Sequence, residues 1–246
     1  MAMTVDDLER HKRHIMLKEI GGAGVQKLQA AHVCVVGAGA LGGPCALYLA
    51  AAGVGHIELW DDDRVSLSNL QRQIQFGEKD IDRRKTDVLA ERLRAINSGV
   101  KTSTHPERFD AASQTSASIL IDASDNFPTR FMLNEVAHRR GKLLVSGAAG
   151  GWQGQVSVYA SGVDATAPCY RCFVPEAPAN AETCEDMGVV GAVTGMVGSA
   201  MALESIKLIT GAGKPLIGVI ALIDGLSGQT RQVRLRPDTE CQVCGG

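Results

Sequence analysis

The sequence predicts an α/β protein with a doubly wound, Rossmann-like, mainly parallel sheet extended by antiparallel strands. Three observations carry that expectation. A β-rich run over residues 32 to 36 enters a glycine turn, Gly37-Ala38-Gly39-Ala40-Leu41-Gly42, and an Ala/Leu-rich helical stretch follows. A second apolar run then ends in acids at Asp61, completing a βαβ unit, whose crossover implies parallel strands. Helical and strand patterns go on alternating as far as Gly147, beyond which shorter alternating segments suggest antiparallel strands.

Taken in order, Leu8, Ile15, Ile20, Val25 and Leu28 keep helical spacing that breaks at Gly21-Gly22, so two short helices are expected as an N-terminal arm. After the βαβ unit, spacing predicts a helix over residues 85–96, strands near 100–104 and 118–122, a helix over 128–140 and a strand over 142–146. Residues 155–159 and 218–222, with RQVRLR near the end, supply the antiparallel extension. Residues 161–186, rich in Pro, Ala, Glu and Asn, read as a long functional loop. The apolar run over 187–203 is interrupted by four glycines and ends at Glu204 and Lys207. It is marginal for a membrane span, which needs about 18 apolar residues, and is expected to be a buried helix.

The 246 residues are 45% hydrophobic with a formal charge of -2, so no basic excess points to nucleic acid. The polar, acidic N-terminus has neither the basic nor the apolar region of a secretory signal, and a cytoplasmic location is expected. Of seven cysteines, four fall into two C-x-x-C pairs, which favours metal in a reducing compartment over disulfides.

Gly37, Gly39, Ala40 and Gly42 occupy a G-x-G-x-x-G turn between strand and helix, where backbone N–H groups can meet a phosphate. Asp61, about 20 residues on, can accept ribose hydroxyls. Those features alone suit an NAD(P)-dependent oxidoreductase. The next segment, Ser66-Leu67-Ser68-Asn69-Leu70-Gln71-Arg72-Gln73, and the basic run Arg83-Arg84-Lys85 fit a triphosphate better. Arg72 and Lys85 would neutralise its oxygens, and Asn69 would hydrogen-bond phosphate or ribose. Asp125 and Asn126 follow an apolar strand, where a carboxylate can hold magnesium beside phosphates; Asp122 is expected only to cap the turn.

Cys169, Cys172, Cys241 and Cys244 supply the four thiolates of a closed structural zinc site; redox use of one pair is the lesser alternative. Cys34 and Cys45 read as small core residues. Cys184 sits among acids that should raise its pKa, which argues against a standing thiolate.

RHIML, GAGALGG, WDDDRVSLSNLQRQ, DASDN, VSGAAGGWQGQVSVY, PCYRC and CQVCGG, spread along the chain, closely resemble the MoeB/ThiF/HesA family, relatives of the ubiquitin-activating enzymes. The resemblance implies ATP-dependent adenylylation of the C-terminal glycine carboxylate of a ubiquitin-like sulfur-carrier protein of MoaD/ThiS type. It implies that Asp61 binds ribose, that Ser68, Asn69, Leu70, Gln71, Arg72 and Lys85 contact ATP, and that Asp125 holds Mg²⁺ and is essential. It also implies that Arg13 reaches the phosphates of a partner subunit in a homodimer, and that Cys184 matches a cysteine that in some members joins the carrier covalently. Ala40 departs from a glycine common in the family's loop, and Arg83-Arg84 stand where Gly and Pro are frequent.

One domain over 1–246 is therefore expected: an arm over 1–30, a nucleotide-binding part over 31–147, and a carrier-binding and zinc part over 148–246. With no rhodanese-like extension after Gly246, the sulfur donor is expected to be a separate cysteine desulfurase or rhodanese. Neither nucleic acid nor membrane is expected as a partner. The rival readings are an NAD(P)-dependent oxidoreductase, which leaves Arg72, Lys85 and the cysteines unexplained, and a zinc-stabilised nucleotide-binding scaffold.

Overall fold

Strands β1 (His32–Val36) and β2 (His56–Trp60) are buried at all but their first residue, as interior parallel strands must be. They belong to an eight-stranded sheet of order β3-β2-β1-β4-β5-β6-β7-β8. Its other members are β3 (Lys101–His105), β4 (Ile119–Asp122), β5 (Leu143–Gly150), β6 (Gln153–Tyr159), β7 (Val219–Asp224) and β8 (Gln229–Arg234). Pairing is parallel from β3 through β5 and antiparallel from β5 to β8. The chain winds outward from β1 to β3 and then crosses to β4, so strand order reverses between β1 and β4 and a crevice opens at their carboxyl ends. The computed structural model describes residues 3–178 and 188–245; Cys184 lies outside them.

The first helix, α1 (Val5–Ile15), starts at a capping box in which Thr4 and Asp7 bond each other's backbone N–H. The break before α2 (Gly21–Ala30) falls at residues 16–20, not at Gly21-Gly22. A later glycine lets α2 pack closely: a Cβ on Gly24 would stand 2.8 Å from Ile20 Cγ2 and 3.5 Å from Thr210 Cγ2. Helices α3 (Gly42–Ala52) and α4 (Lys85–Ile96) cover one face of the sheet, and α5 (Phe127–Arg139) with the short α6 (Tyr170–Phe173) covers the other.

Helix α7 (Gly191–Thr210) is long and apolar enough to cross a membrane by length and composition alone. It packs instead on α2, α3, β5 and β6, burying Val193, Val197 and Met201. Its small residues permit this, since a Cβ on Gly198 would lie 2.6 Å from the Leu41 carbonyl. The loop predicted over 161–186 contains α6 within its described part. Cys34 and Cys45 are fully buried, and burial pushes both thiols far above their ordinary range.

Candidate active site

Backbone geometry first shapes the glycine turn at the end of β1. Gly37 has φ 98°, and a Cβ there would meet the Ala123 carbonyl at 2.6 Å. A Cβ on Gly42 would collide with the Gly37 carbonyl at 1.8 Å, so only glycine allows α3 to start this close to the turn. Two side chains hold the turn in place. Asp61 Oδ2 accepts the Ala38 N–H at 2.7 Å, and the buried Gln75 donates Nε2 to the Ala38 and Gly39 carbonyls at 2.9 and 3.0 Å.

A cleft of about 390 Å³ opens over this turn at the β1/β4 reversal. Of the residues singled out by sequence, Gly37, Gly39, Ala40, Asp61, Arg72, Lys85, Asp125 and Asn126 line it. Burial pushes the Asp61 carboxyl above its ordinary value, opposed by Lys85 and by the Ala38 and Asp63 N–H groups. Lys85, in the first turn of α4, is itself buried and donates Nζ to Asp63 Oδ2 at 2.7 Å. Arg72 Nη1 donates to the Ser68 carbonyl at 3.0 Å. Asp125 is exposed beyond β4, and Asn126 both donates to Asp125 Oδ1 at 3.2 Å and caps α5 by accepting the Thr129 N–H.

Other singled-out residues stand elsewhere. Gly42 backs the turn without lining the cleft. Asn69 is buried with its side-chain oxygen on the Ser66 N–H at 3.3 Å, and Ser68 Oγ meets Ser66 Oγ at 3.0 Å. Along with Leu70 and Gln71, these residues shape the loop that carries Arg72 and do not line the cleft. Arg13 is exposed in the last turn of α1, off the cleft of its own chain. Of the basic run, only Lys85 reaches the cleft: Arg83 pairs with Asp80 and Glu91, and Arg84 donates to the Asp62 carbonyl at 2.9 Å.

Sequence reasoning passed over several lining groups. Trp60 and Phe109 form an aromatic wall, edge to face at 5.1 Å. Behind Trp60, His105 stacks at 3.9 Å, and the indole N–H donates to buried Glu58 at 3.0 Å. The one available signal was a tryptophan ending β2 directly before Asp61. Buried Gln73 lines the cleft with its Oε1 unpartnered, and Arg130, Ala149, Val189 and Thr194 complete the wall toward α7. Asp61, Asp62 and Asp63 cluster closely, but Arg108 neutralises Asp62 and Lys85 neutralises Asp63.

Away from the cleft, the C-terminus folds back on α6. Cys169 Sγ lies 3.5 Å from Cys241 Sγ, Cys172 Sγ lies 3.4 Å from Cys244 Sγ, and all four sulfurs fall within 4.8 Å of one another. These separations are too long for disulfides, and they suit a tetrahedral S₄ cation site, in which Zn–S bonds of about 2.3 Å put the sulfurs nearly 4 Å apart. The Asp238 N–H donates to Cys172 Sγ from 3.4 Å, a bond that favours the thiolate over the thiol. Burial raises the Cys169 and Cys244 thiols; at Cys241 it is outweighed by the Cys244 and Val243 N–H groups, which bring that thiol down to about 7.

A glycine turn at the reversal of a doubly wound sheet, faced by a buried lysine, an arginine and carboxylates, defines a nucleotide-binding α/β protein. The chain belongs to the ThiF family, whose sequence pattern matches residues 11–243. It is 39% identical over 253 residues to the sulfur carrier protein adenylyltransferase of Thermus thermophilus, covering 100% of this chain and 93% of that protein. It is 40% identical to the sulfur carrier protein ThiS adenylyltransferase of Escherichia coli, covering 99% and 98% respectively. Against adenylyltransferase and sulfurtransferase MOCS3-2 of Zea mays, 41% identical, it covers 99% of this chain but spans about half the relative's length, 52%. Among solved structures, E. coli MccB with MccA-N7isoASN superposes with a TM-score of 0.85 over 97% of this chain and 75% of that one; at 22% identity it speaks for the fold alone.

Proposed function

We propose that the protein adenylylates the C-terminal glycine carboxylate of a small ubiquitin-like sulfur-carrier protein with ATP, releasing pyrophosphate. The observation that carries this reading is the convergence of Lys85, Arg72, Asp61 and Asp125 around the glycine turn in one cleft. An NAD-dependent oxidoreductase needs no such pair of cations beside an acid. The relatives that match almost end to end are named as adenylyltransferases of sulfur carriers.

In this reading the base packs against Trp60 and Phe109, the ribose hydroxyls donate to Asp61, and the phosphates lie along Gly37, Gly39 and Ala40 toward Lys85 and Arg72. The loop from Ser68 to Gln71 holds Arg72 in place rather than touching nucleotide across the cleft wall. Asp125, with Asn126 beside it, would hold Mg²⁺, which when bound offsets phosphate charge. The carrier's tail enters past Ala149, Val189 and Thr194. Its carboxylate oxygen bonds to the α-phosphorus as the bond to the β-phosphate oxygen breaks, and pyrophosphate departs with that electron pair. The nucleophile is already ionised at neutral pH, so the protein contributes alignment and charge rather than a general base.

The four cysteines hold a structural zinc ion that ties residues 241–244 to α6. The chain works as one domain, its 1–30 arm serving a homodimer in which Arg13 completes the partner's cleft. Two observations support that arrangement: Arg13 lies off its own cleft, and Tyr48, Met196 and Leu203 on α3 and α7 are apolar and 58%, 50% and 56% exposed. The sulfur comes from a separate donor protein, the setting is cytoplasmic, and Cys184 stays a candidate for covalent attachment of the carrier.

ATP–pyrophosphate exchange tests the reading, with Mg²⁺ and carriers ending in Gly-Gly beside versions lacking that tail. Exchange that needs the intact tail is expected; tight NAD(H) binding with no exchange would replace the reading with the oxidoreductase. Mixing Arg13→Ala with Asp125→Ala protein should restore exchange that neither has alone, because one cleft of each mixed dimer is intact. A mixture as inactive as its parts would remove Arg13 from the partner's site.

A further inference from the structure

The residue that sequence reasoning set aside, Asp122, sits in a buried network that joins two sides of the cleft. Arg130 on α5 is 6% exposed. Its Nη1 donates to the Gly147 carbonyl at 2.9 Å, with Ser146 Oγ at 3.4 Å and Asp122 Oδ2 at 3.5 Å; its Nη2 donates to the Ser124 carbonyl at 2.5 Å. Asp122 accepts the Ser124 N–H at 3.1 Å and hydroxyl at 2.6 Å, and the Ser146 hydroxyl at 2.7 Å. The end of β4 and the middle of β5 are therefore pinned together by one guanidinium and one carboxylate.

We propose that Arg130 is a positioning residue that fixes the backbone bearing Asp125 against the β5 wall, setting the distance between the metal side and the tail side of the cleft. The inference rests on reading the cleft as an adenylylation site. Asp125 directly follows Ser124, is exposed, and has Asn126 as its hydrogen-bond partner, so its position is set through its backbone. On the other side, β5 rests on α7 without slack: a Cβ on Gly147 would stand 2.3 Å from Met201 Sδ. Ala149 and Thr194, from β5 and α7, line the cleft there. Although Arg130 borders the cleft, Nη1 and Nη2 are both engaged by protein oxygens, which assigns it to holding the site rather than to touching substrate. A planar fork reaches two carbonyls at once, and a lysine in its place would reach one.

The test uses two variants, because removing one member of a buried pair can unfold a protein. Arg130→Lys keeps the charge and loses the fork; the double variant Asp122→Asn/Arg130→Gln keeps the shape and removes both charges. Carrier-dependent exchange is followed as kcat and KM for ATP. Separately and without turnover, Mn²⁺ is titrated into protein saturated with a non-hydrolysable ATP analogue and followed by electron paramagnetic resonance. The expected result is a cooperative melt, kcat lower by about 10²-fold with KM for ATP little changed, and Mn²⁺ bound at least about 10-fold more weakly. Wild-type Mn²⁺ binding in a folded variant overturns the proposal, as does a change confined to melting temperature or failure of both variants to fold. Asp125→Asn in the same titration separates the two levels: Mn²⁺ binding as tight as wild type there would defeat the reading of Asp125 itself. Were the wild type to show no exchange with any carrier, the proposed function would fail while the Mn²⁺ titration still judged Arg130.

Discussion

Strands β1, β2 and β4 are buried almost end to end, whereas every residue of β8 is exposed. The parallel half is sandwiched between helices, and its carboxyl edge carries the cleft; the antiparallel half ends in a segment closed by four sulfur atoms. Burial does two jobs in the first half. It supplies stability, and it lets exposed Asp125 and half-exposed Arg72 project from a closely packed frame. The second half lacks that apolar reserve near its end, so a cation held by thiolates is the natural source of order there. Chemistry and stability are thus separable by mutation.

The strongest break in that comparison is Asp125→Ala. Exchange should fall by about 10³-fold, with the melting temperature unmoved because the side chain is exposed. Activity near wild type would detach the carboxylate from catalysis. Lys85→Met comes next, with an expected loss of about 10²-fold in kcat/KM for ATP, because a buried cation would no longer meet phosphate. If the loss appeared with carrier and not with ATP, Lys85 would belong to the tail side of the cleft.

Replacing Cys172 and Cys244 by Ser should give the reverse profile. The melting temperature drops by about 5–10 °C, and exchange per folded molecule stays close to wild type. A chelator should reproduce the drop, and metal analysis of the untreated protein should find one zinc per chain. An unchanged melt would mean that the sulfur cluster does not hold the C-terminal segment.

Patterns that depend on neighbours in sequence were legible before the fold was seen; contacts between distant segments were not. Residues 85–96 announced a helix by spacing, and the glycine turn announced itself because its sterics are local. Arg72 and the basic run ending at Lys85 were legible as candidate phosphate partners by charge. Within that run Arg83 and Arg84 carry the same charge and are turned away only because Asp80, Glu91 and the Asp62 carbonyl take them. Nothing local marks Asp63 as the partner of Lys85, 22 residues on, or Arg130 as the bolt between β4 and β5. Gly21-Gly22 misled for a related reason: glycine signals a break, but here Gly21 takes its positive φ of 58° at the first residue of α2, and the turn itself falls over residues 16–20.

The smallest expected effect lies inside the cleft and runs against the stability of the frame. Burial raises the Asp61 carboxyl above its ordinary 3.8, so between that value and its raised one the folded protein holds a proton that the unfolded chain has lost. The stability this supplies is present below the ordinary value and is lost as pH rises through the raised one. At neutral pH the half-buried charge is therefore a net cost to folding. Asp61→Asn keeps an acceptor for the Ala38 N–H, gives up the one for the Asp63 N–H and removes the charge. Its melting temperature should exceed wild type slightly at pH 7, and the advantage should shrink toward pH 4. Its nucleotide affinity should fall by about 10-fold, since hydrogen bonds to a charged acceptor are worth roughly twice those to a neutral one. Calorimetric melts across that pH range and a nucleotide titration at pH 7 read both. A melting temperature below wild type at every pH would show that the Asp61 charge supports the glycine turn rather than waiting for ribose.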